Sequence, residues 1–386
     1  MRYTIYLETC ILGIYLMLIP YYTQAQDPIF SHYYGNPMYL NPALTAYEGG
    51  TSIYGAMKNQ WAGIAGASSA FNTQSVAVAS EMANFKSGIG LIMTRNSEGN
   101  SQLEWKSIGL SYSFHALRNC SSRFRDGSEL SFGFRATYNE MDVNFSQLIF
   151  SDQLDPLLGQ IGPSVVSGLR PSDFLGKYYD LDAGMVYSGY IANYKIFYRL
   201  GFAINHLVNS GEVGGTSLPN EELAPRYTAT LDLYGNRSNS IRSPEFFSGT
   251  ILRYTRQASA PNSGLAYQVI DAGFVYIFNP AGPSLTTMLF HRWAGLDNLG
   301  HLFTPKAERE APRTNSIGFQ AGIEIPIEVQ QESFLRLMAG YQYDYSGLQG
   351  ATNGSWEVSL AVNLPKRVLF KCRAKCEYRK APYPMY

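Results

Sequence analysis

The sequence contains little charge, and this restricts the classes of protein to which it can belong. Only 16% of its 386 residues are Asp, Glu, Lys or Arg, whereas about a quarter is usual in soluble domains. Acidic and basic residues balance at 30 each. A nucleic-acid-binding protein needs a basic excess to neutralise phosphates, so the composition argues against nucleic acid as a partner.

Long apolar runs are also lacking. One run, Ile11–Ile19, follows Arg2 and precedes the small-residue site Thr23-Gln24-Ala25. It is too short for a transmembrane helix, which needs about 20 apolar residues. The pattern is that of a secretory signal peptide over residues 1–25, and we expect cleavage after Ala25. No later stretch approaches ~18 consecutive apolar residues, so no spanning helix is expected elsewhere.

Motifs for catalysis or metal binding are missing as well. The sequence has no His-Glu-x-x-His pair, no Gly-x-Ser-x-Gly and no phosphate-binding Gly-Lys-Ser/Thr loop. His115 lies beside Ser113 on one predicted strand face, but no third group completes a nucleophile–base–orienter set. We therefore predict no enzymatic activity, no cofactor and no metal site. The five histidines are scattered over the chain: His32, His115, His206, His291 and His301.

Cysteine is rare, and two of the four lie close together in the C-terminal tail. Cys372 and Cys376 form a Cys-x-x-x-Cys pair. In an exported protein such a pair favours a disulfide over a metal site, and the tail has no histidine to complete a zinc site. Cys120 is expected on the same side of the membrane, where it could pair with either tail cysteine or remain free.

What the sequence does have is alternation of apolar and polar residues. In Gly354–Pro365 every second residue is large and apolar, and those between are mostly small or polar. Successive side chains of a strand point to opposite faces, so this segment has one apolar and one polar face. The apolar residues are Trp356, Val358, Leu360, Val362 and Leu364. The residues between them are Ser355, Glu357, Ser359, Ala361 and Asn363.

About fourteen segments share this alternation, which is the signature of a transmembrane β-barrel. Long connections follow the odd-numbered segments, and mostly tight turns follow the even-numbered ones. Outer-membrane barrels have short periplasmic turns and long outer loops, so we predict a closed antiparallel barrel over residues 51–365 with periplasmic termini. A soluble β-sandwich, the alternative, would not separate its loops in this way. The predicted strands are 51–61, 71–82, 86–96, 103–117, 128–143, 179–189, 194–207, 226–236, 245–258, 266–280, 283–294, 314–328, 333–346 and 354–365.

The predicted barrel also fixes where charged strand residues must point. A charge facing lipid at the membrane midplane costs about 2–4 kcal/mol. Arg135, Arg336 and Glu357 are therefore predicted to face the lumen. A barrel of this size encloses a lumen too wide for its own strand side chains to fill.

The segment between the signal peptide and the first strand, 26–50, is predicted to lie in the lumen or across its periplasmic mouth. Its prolines make it too irregular for a strand, and its aromatic residues must be covered. The alternative is a simple clasp on the periplasmic rim. Its candidate partner-binding residues are Phe30, Tyr33, Tyr34, Tyr39, Asn41 and Pro42.

The C-terminal tail, 366–386, is strongly basic and is predicted to be periplasmic. A run of this kind is often simply solvated; the alternative is that it docks on an acidic periplasmic partner. Its candidate partner-binding residues are Lys371, Arg373, Lys375 and Arg379. The long loops 144–178, 208–225 and 295–313 would bind ligands or shield the outer mouth, and their acidic residues match no calcium-loop spacing.

Several motifs in order resemble the PorP/SprF family of type IX secretion outer-membrane proteins. The first is the opening of the predicted mature chain, Gln26–Tyr34 followed by Asn36–Ala43. Further matches are Lys58-Asn59-Gln60-Trp61, Arg226-Tyr227-Thr228, Tyr343-Asp344-Tyr345-Ser346-Gly347-Leu348 and Asn353-Gly354-Ser355-Trp356-Glu357. The family often has His where Trp356 stands. The resemblance extends over essentially the whole mature chain.

The resemblance implies an outer-membrane component of the type IX secretion and gliding machinery of Bacteroidota. Family members are linked to periplasmic ring proteins, a lipoprotein and its partner, and some accompany large surface proteins such as adhesins. The chain would then bind, anchor or help export such a cargo, either as a core ring partner or as a cargo-specific anchor. The alternative function is a passive outer-membrane channel or a hydrophobic-solute transporter.

Overall fold

A computed structural model shows a closed barrel with part of the chain inside it. Outside the described residues lie the predicted signal peptide and the basic tail. The described residues are 27–32, 35–61, 63, 71–82, 87–99, 103–120, 127–142, 154–155, 159–160, 176–191, 196–212, 223–236, 246–258, 266–278, 283–296, 313–328, 333–345 and 352–364.

Fourteen antiparallel strands form the barrel, as the alternation predicted. They are β1 (Thr51–Gln60), β2 (Phe71–Glu81), β3 (Ser87–Glu98), β4 (Leu103–Cys120), β5 (Gly127–Asp142), β8 (Gly176–Ile191), β9 (Ile196–Glu212), β10 (Arg226–Asn236), β11 (Phe246–Ala258), β12 (Ala266–Phe278), β13 (Ser284–Leu296), β14 (Arg313–Glu328), β15 (Ser333–Asp344) and β16 (Ser355–Leu364). Two short strands, β6 (Leu154–Asp155) and β7 (Gly159–Gln160), pair with each other between β5 and β8.

The barrel closes where its first and last strands meet. β1 pairs with β16 along its whole length, from Thr51↔Leu364 to Gln60↔Ser355. An unpaired backbone N–H or C=O in hydrocarbon costs several kcal/mol, so closure of this seam removes the last open edges of the sheet. Among the described residues, no helix has the length and apolar character needed to cross a membrane.

The two faces of the wall follow the sequence pattern. In β16, Trp356, Val358 and Leu360 point outwards and are exposed, whereas Glu357 and Ser359 point inwards and are buried. Arg135 and Arg336 are likewise buried on the inner face. The predicted orientation of all three charged residues is therefore confirmed.

The three longest connections between strands all lie at one end of the barrel. They are 143–175, 213–225 and 297–312. At the opposite end, where the chain enters β1, short connections include 192–195, 279–283 and 329–332. We refer to the end with the long connections as the outer end and to the other as the periplasmic end, following the usual arrangement of outer-membrane barrels.

The interior is a packed core, not an open lumen, over the residues that the structure describes. Residues 27–32 and 35–50, here called the plug, lie inside the barrel. Near the periplasmic end, inward-facing apolar residues pack against the plug residues Leu44 and Tyr47. These wall residues include Val186, Phe197, Tyr234, Phe247, Ile251, Val275, Ile277, Met288 and Phe290.

Candidate functional site: the plug and the inner wall that holds it

The plug runs through the barrel from its outer to its periplasmic end. At its start, Asp27 contacts Arg226, the first residue of β10 after a long connection. At its finish, the Gly50 carbonyl accepts the backbone N–H of Glu81, the last residue of β2. Residues 27–32 and 35–50 therefore extend along the lumen from one end to the other before the chain turns into β1.

Two short helical turns shape the middle of the plug. Pro37–Leu40 forms one α-helical turn and Pro42–Leu44 one 3₁₀ turn, each beginning with a proline. Proline suits this first position because the N–H it lacks would have no partner there. Between the turns, the Asn41 side chain accepts the Ala43 N–H at 2.9 Å, which caps the second turn.

The same Asn41 side chain anchors the plug to the wall. Its Nδ2 atom donates to the carbonyl oxygens of Met185 in β8 and Phe202 in β9, both at 3.1 Å. These two strand residues face each other in the sheet register. One amide group therefore caps a turn of the plug and links two neighbouring strands.

Glycines in the wall let the plug approach the strand backbone. A Cβ atom at Gly133 in β5 would collide with the backbone of Pro42 and Ala43. A Cβ atom at Gly90 in β3 would lie 2.5 Å from the methyl carbon of Met38. At Gly133 the obstacle is backbone, so this position fits the plug only as glycine; at Gly90 the end of the Met38 side chain would have to shift.

Nearer the outer end, two charged wall residues bind the plug backbone. The Glu357 carboxylate accepts the N–H of Ser31 at 2.6 Å and that of His32 at 2.8 Å. Lys58 faces Glu357 across the β1–β16 seam, and its Nζ atom donates to the Ile29 carbonyl at 2.6 Å. The seam that closes the barrel therefore also holds the plug.

The His32 ring is buried beside this seam. Its Nδ1 atom is hydrogen-bonded to Ser359 Oγ. Burial, assisted by the positive charge of Arg336, lowers the pKa of His32 to about 3. The ring is therefore neutral at physiological pH.

Asp27 is held by a cluster of charges. Its carboxylate lies 2.6 Å from His206 Nε2 and 2.9 Å from Arg226 Nη1, and its backbone N–H donates to Gln257 at 3.3 Å. Burial alone would raise the pKa of Asp27, but the charges of His206 and Arg226 outweigh burial and hold that pKa well below its usual value. Asp27 is therefore ionised when docked.

His206 itself adopts an unusual backbone conformation. Its φ angle is 58°, in the left-handed region that non-glycine residues rarely adopt. Opposite it, the register between β8 and β9 shifts between Leu181 and Ala183. The bulge places the imidazole between Asp27 and Asp180. Such strain, about 1–3 kcal/mol, occurs preferentially at functional positions.

Asp180, Asp182 and His206 offer ligand atoms that lie within 4.8 Å of one another, close enough for a metal ion. Each of these groups already forms an ion pair within the chain. Arg135 Nη2 lies 2.6 Å from Asp182, and both ring nitrogens of His206 contact carboxylates. Three carboxylates, including Asp27, face two guanidinium groups and one imidazole. We therefore interpret the cluster as an ion-pair network that docks the plug.

A second strained corner lies at the outer end of the seam. Trp61 has a φ angle of 61°, and its indole N–H donates to Asp344 at 2.9 Å. The Thr352 hydroxyl donates to the same carboxylate at 3.3 Å, and the Trp61 N–H donates to the Gly354 carbonyl at 2.9 Å. The end of β1, the end of β15 and the start of β16 carry three of the family motifs noted in the sequence. These three motifs thus meet in one place.

The structure locates several of the residues predicted to bind partners. Phe30, Asn41 and Pro42 are buried in the plug, and Tyr39 is partly buried there. His206 and Arg226 were not predicted to contact the plug, although Arg226 opens the motif Arg226-Tyr227-Thr228. The remaining candidates lie outside the described residues: Tyr33, Tyr34, Lys371, Arg373, Lys375, Arg379, Cys372 and Cys376.

The histidine and serine noted as a weak catalytic pair have other partners. Ser113 donates to the Thr45 carbonyl at 2.7 Å, so it holds the plug. His115 contacts Glu129 at 2.5 Å and Ser131 at 2.7 Å, both through the same Nδ1 atom. A nucleophile and an orienting acid must occupy opposite ring nitrogens, so these residues do not form a catalytic triad.

Several solved structures show a remote likeness to the chain. An outer membrane channel from Pseudomonas putida F1 is 9% identical, with a TM-score of 0.38 over 81% of this chain and 94% of that chain. The CymD monoaromatic hydrocarbon channel is 9% identical, with a TM-score of 0.39 over 85% and 91%. BamA from Haemophilus ducreyi, lacking POTRA domains 1–3, is 9% identical, with a TM-score of 0.34 over 81% and 70%. Such remote likenesses are limited to the barrel architecture.

No curated protein matches the chain. The family model described as type IX secretion system membrane protein PorP/SprF matches residues 22–362. This range includes the described plug and nearly all of the barrel. The chain therefore belongs to the PorP/SprF family of type IX secretion system membrane proteins.

Proposed function

We propose that this barrel is a scaffold of the type IX secretion or gliding machinery. It binds, anchors or helps export a large surface protein of the adhesin type at its outer side. Its periplasmic segments dock on the ring proteins, a lipoprotein and its partner. The family supports membership of the machinery; the cargo and ring contacts are our proposal.

The observation that carries the proposal is the occupied lumen. Near the outer end, Glu357 and Arg226 of the wall hold the plug at Ser31 and Asp27. In the middle, Asn41 of the plug bonds to the wall. Near the periplasmic end, Arg336 of the wall contacts Glu48 of the plug at 3.2 Å. A passive channel needs a continuous path, and a plug held along its whole length favours a scaffold. The channel or solute transporter remains the alternative function.

A reversible disulfide would separate the two functions. Thr45 Oγ1 in the plug lies 2.6 Å from Ser111 Oγ in the wall, so Thr45→Cys/Ser111→Cys suits a disulfide. The matched control is Thr51→Cys/Ser80→Cys, whose hydroxyls are 2.9 Å apart within the wall. We expect no steady single-channel conductance in either variant, oxidised or reduced. Conductance that appears only when Thr45→Cys/Ser111→Cys is reduced would favour a channel.

Partner recovery tests the positive side of the proposal. Gently solubilised outer membranes should yield the barrel together with ring proteins and one large surface protein, identified by mass spectrometry. Reversing the charges of Lys371, Arg373, Lys375 and Arg379 should reduce recovery of the ring proteins and leave the surface protein bound. Unchanged recovery would eliminate the tail as the ring-docking segment.

The plug can be tested in the same assay. Deletion of residues 26–45 should impair secretion, because it removes most of the plug. A deletion that leaves both barrel folding and secretion intact would refute a functional role for this segment. The experiment also distinguishes a working plug from a passive clasp.

A further inference from the structure

The wall around residues 27–32 binds the plug in part through its main chain. Glu357 accepts the backbone N–H groups of Ser31 and His32. Lys58 donates to the backbone carbonyl of Ile29. Every peptide offers such groups, so these contacts do not depend on the plug's own side chains. Capture of a backbone by fixed polar groups is a recurring mode of peptide recognition.

Side chains of the segment also bind the wall. The Ser31 hydroxyl donates to Gln342 at 3.0 Å, the His32 ring is hydrogen-bonded to Ser359, and Asp27 makes the charged contacts. Asp27 lies between His206 and Arg226, four residues before the Ser31 N–H that binds Glu357. Charge-assisted hydrogen bonds of this kind are about twice as strong as neutral ones. The wall therefore selects an extended segment with an acidic residue four positions before its first captured amide.

A small cavity lies beside the docked segment, between the plug and the wall strands β10 and β11. Phe30 and Tyr39 line it on the plug side, and Thr228, Arg253 and Thr255 line it on the wall side. Its volume of about 20 Å³ is enough for about one water molecule. A segment that replaces residues 27–32 must therefore fit closely into the space that they now fill.

We propose that this part of the wall is a receptor for an acidic, extended segment of the exported protein. The chain's own residues 27–32 occupy the receptor until that segment displaces them. The site lies near the outer end, since Arg226 opens β10 and Gln257 is the last residue but one of β11. This inference rests on the proposed function, because it takes an exported protein as the partner.

Competition with a tethered segment sets the expected affinities. A covalently linked segment acts at an effective concentration of about a millimolar, so a free peptide should bind the unaltered chain weakly. Asp27→Asn weakens only the plug's own docking and leaves the wall intact. The Asp27→Asn chain should therefore bind an added acidic peptide more tightly than the unaltered chain does.

The probe is a fluorescein-labelled synthetic peptide of residues 27–36, compared with the same peptide carrying Asp27→Asn. With the full-length Asp27→Asn chain in detergent, fluorescence anisotropy should show about tenfold tighter binding of the acidic peptide than of its Asn version. The second substitution Arg226→Gln should reduce that preference, since it leaves only His206 to bind the carboxylate. Equal binding of both peptides, or a preference that Arg226→Gln does not change, would overturn the proposal. Folding of each variant is checked by its faster migration in unheated gels.

Hydrogen exchange on the unaltered chain gives a second measurement that does not depend on any variant. Saturating acidic peptide should accelerate exchange of the Ser31 and His32 amides, because their bonds to Glu357 are lost on displacement. The Asn peptide at the same concentration should accelerate it less. Identical exchange with the two peptides would contradict acid-selective displacement.

Partner recovery distinguishes failure of this inference from failure of the proposed function. If the peptides bind without acid preference while the full-length chain still co-purifies with a surface protein, the receptor is wrong and the proposed function stands. If no surface protein co-purifies with the unaltered chain, the proposed function itself fails. The two results come from separate samples and are independent of each other.

Discussion

The Glu357 carboxylate accepts the backbone N–H of Ser31 at 2.6 Å, although 326 residues separate the two positions in the chain. One residue of the last strand thus holds the segment that precedes the first strand. Since β1 and β16 also pair with each other, closure of the barrel and docking of the plug depend on the same seam.

Replacement of this carboxylate should loosen the plug. Glu357→Gln keeps the shape but removes the charge that binds two amides and faces Lys58. Hydrogen bonds to charged groups contribute about 1.5–3 kcal/mol, so faster amide exchange at Ser31 and His32 is expected. Glu140→Gln is the control, because its ion pair with Lys177 at 3.6 Å is exposed and should contribute at most about 1 kcal/mol. Equal effects of the two changes would contradict a special role for Glu357.

The close approach of the plug to β5 gives a steric prediction. Gly133→Val would place side-chain atoms where Pro42 and Ala43 lie, and overpacking of this kind costs about 1–3 kcal/mol. We expect greater proteolysis of residues 27–50 in the folded barrel. The matched control is Gly55→Val in β1, where an added Cβ atom has no neighbour within 4 Å; this change should leave proteolysis unaltered.

The sequence predicted the wall well because a membrane barrel obeys a period of two. Lipid-facing positions are apolar, whereas lumenal positions can be polar. Because the two kinds of position alternate along each strand, the pattern alone located all fourteen strands. It also oriented Arg135, Arg336 and Glu357. Where the period breaks, the prediction was less accurate: the strand predicted over 194–207 extends to Glu212, and the bulge opposite His206 shifts the register.

The plug could be recognised in the sequence but not positioned. Its prolines and aromatics indicate a covered, irregular segment, yet its path depends on contacts with residues up to 326 positions away. The Asn41 bonds to two strand carbonyls leave no trace in either strand's sequence. One signal in the sequence could have indicated a plug contact. A buried charge that faces the lumen needs a partner of opposite charge, so Arg226 in the wall could have been matched with Asp27 in the plug.

A charge on the outer wall tests the membrane assignment. Leu289 lies near the middle of β13 and is 58% exposed, as expected of a lipid-facing side chain. Leu289→Lys should reduce the free energy of unfolding in lipid vesicles by about 2–4 kcal/mol, as measured by urea titration. Leu289→Phe keeps the site apolar and should change it little. Equal stability of the two variants would contradict a lipid-facing position at this depth.

Acidification should loosen the plug. The pKa of His32 is lowered to about 3 in the docked state, while an undocked histidine titrates near 6.5. The undocked form therefore takes up the proton first, and docking weakens by up to about 1.4 kcal/mol for each pH unit as the pH falls below 6.5. The lowered pKa of Asp27 acts in the same direction at still lower pH.

The measurement is amide exchange or proteolysis of residues 27–50 at pH 7.5 and pH 4.5. Protection should decrease at the lower pH, and His32→Gln should remove most of this difference because glutamine does not titrate. The ring faces Ser359, and Arg336 is the charged group that lowers its pKa. Arg336 opposes protonation of the ring and keeps its charge throughout the range. Protection that is equal at both pH values, or that falls equally in His32→Gln, would exclude His32 as the group whose protonation releases the plug.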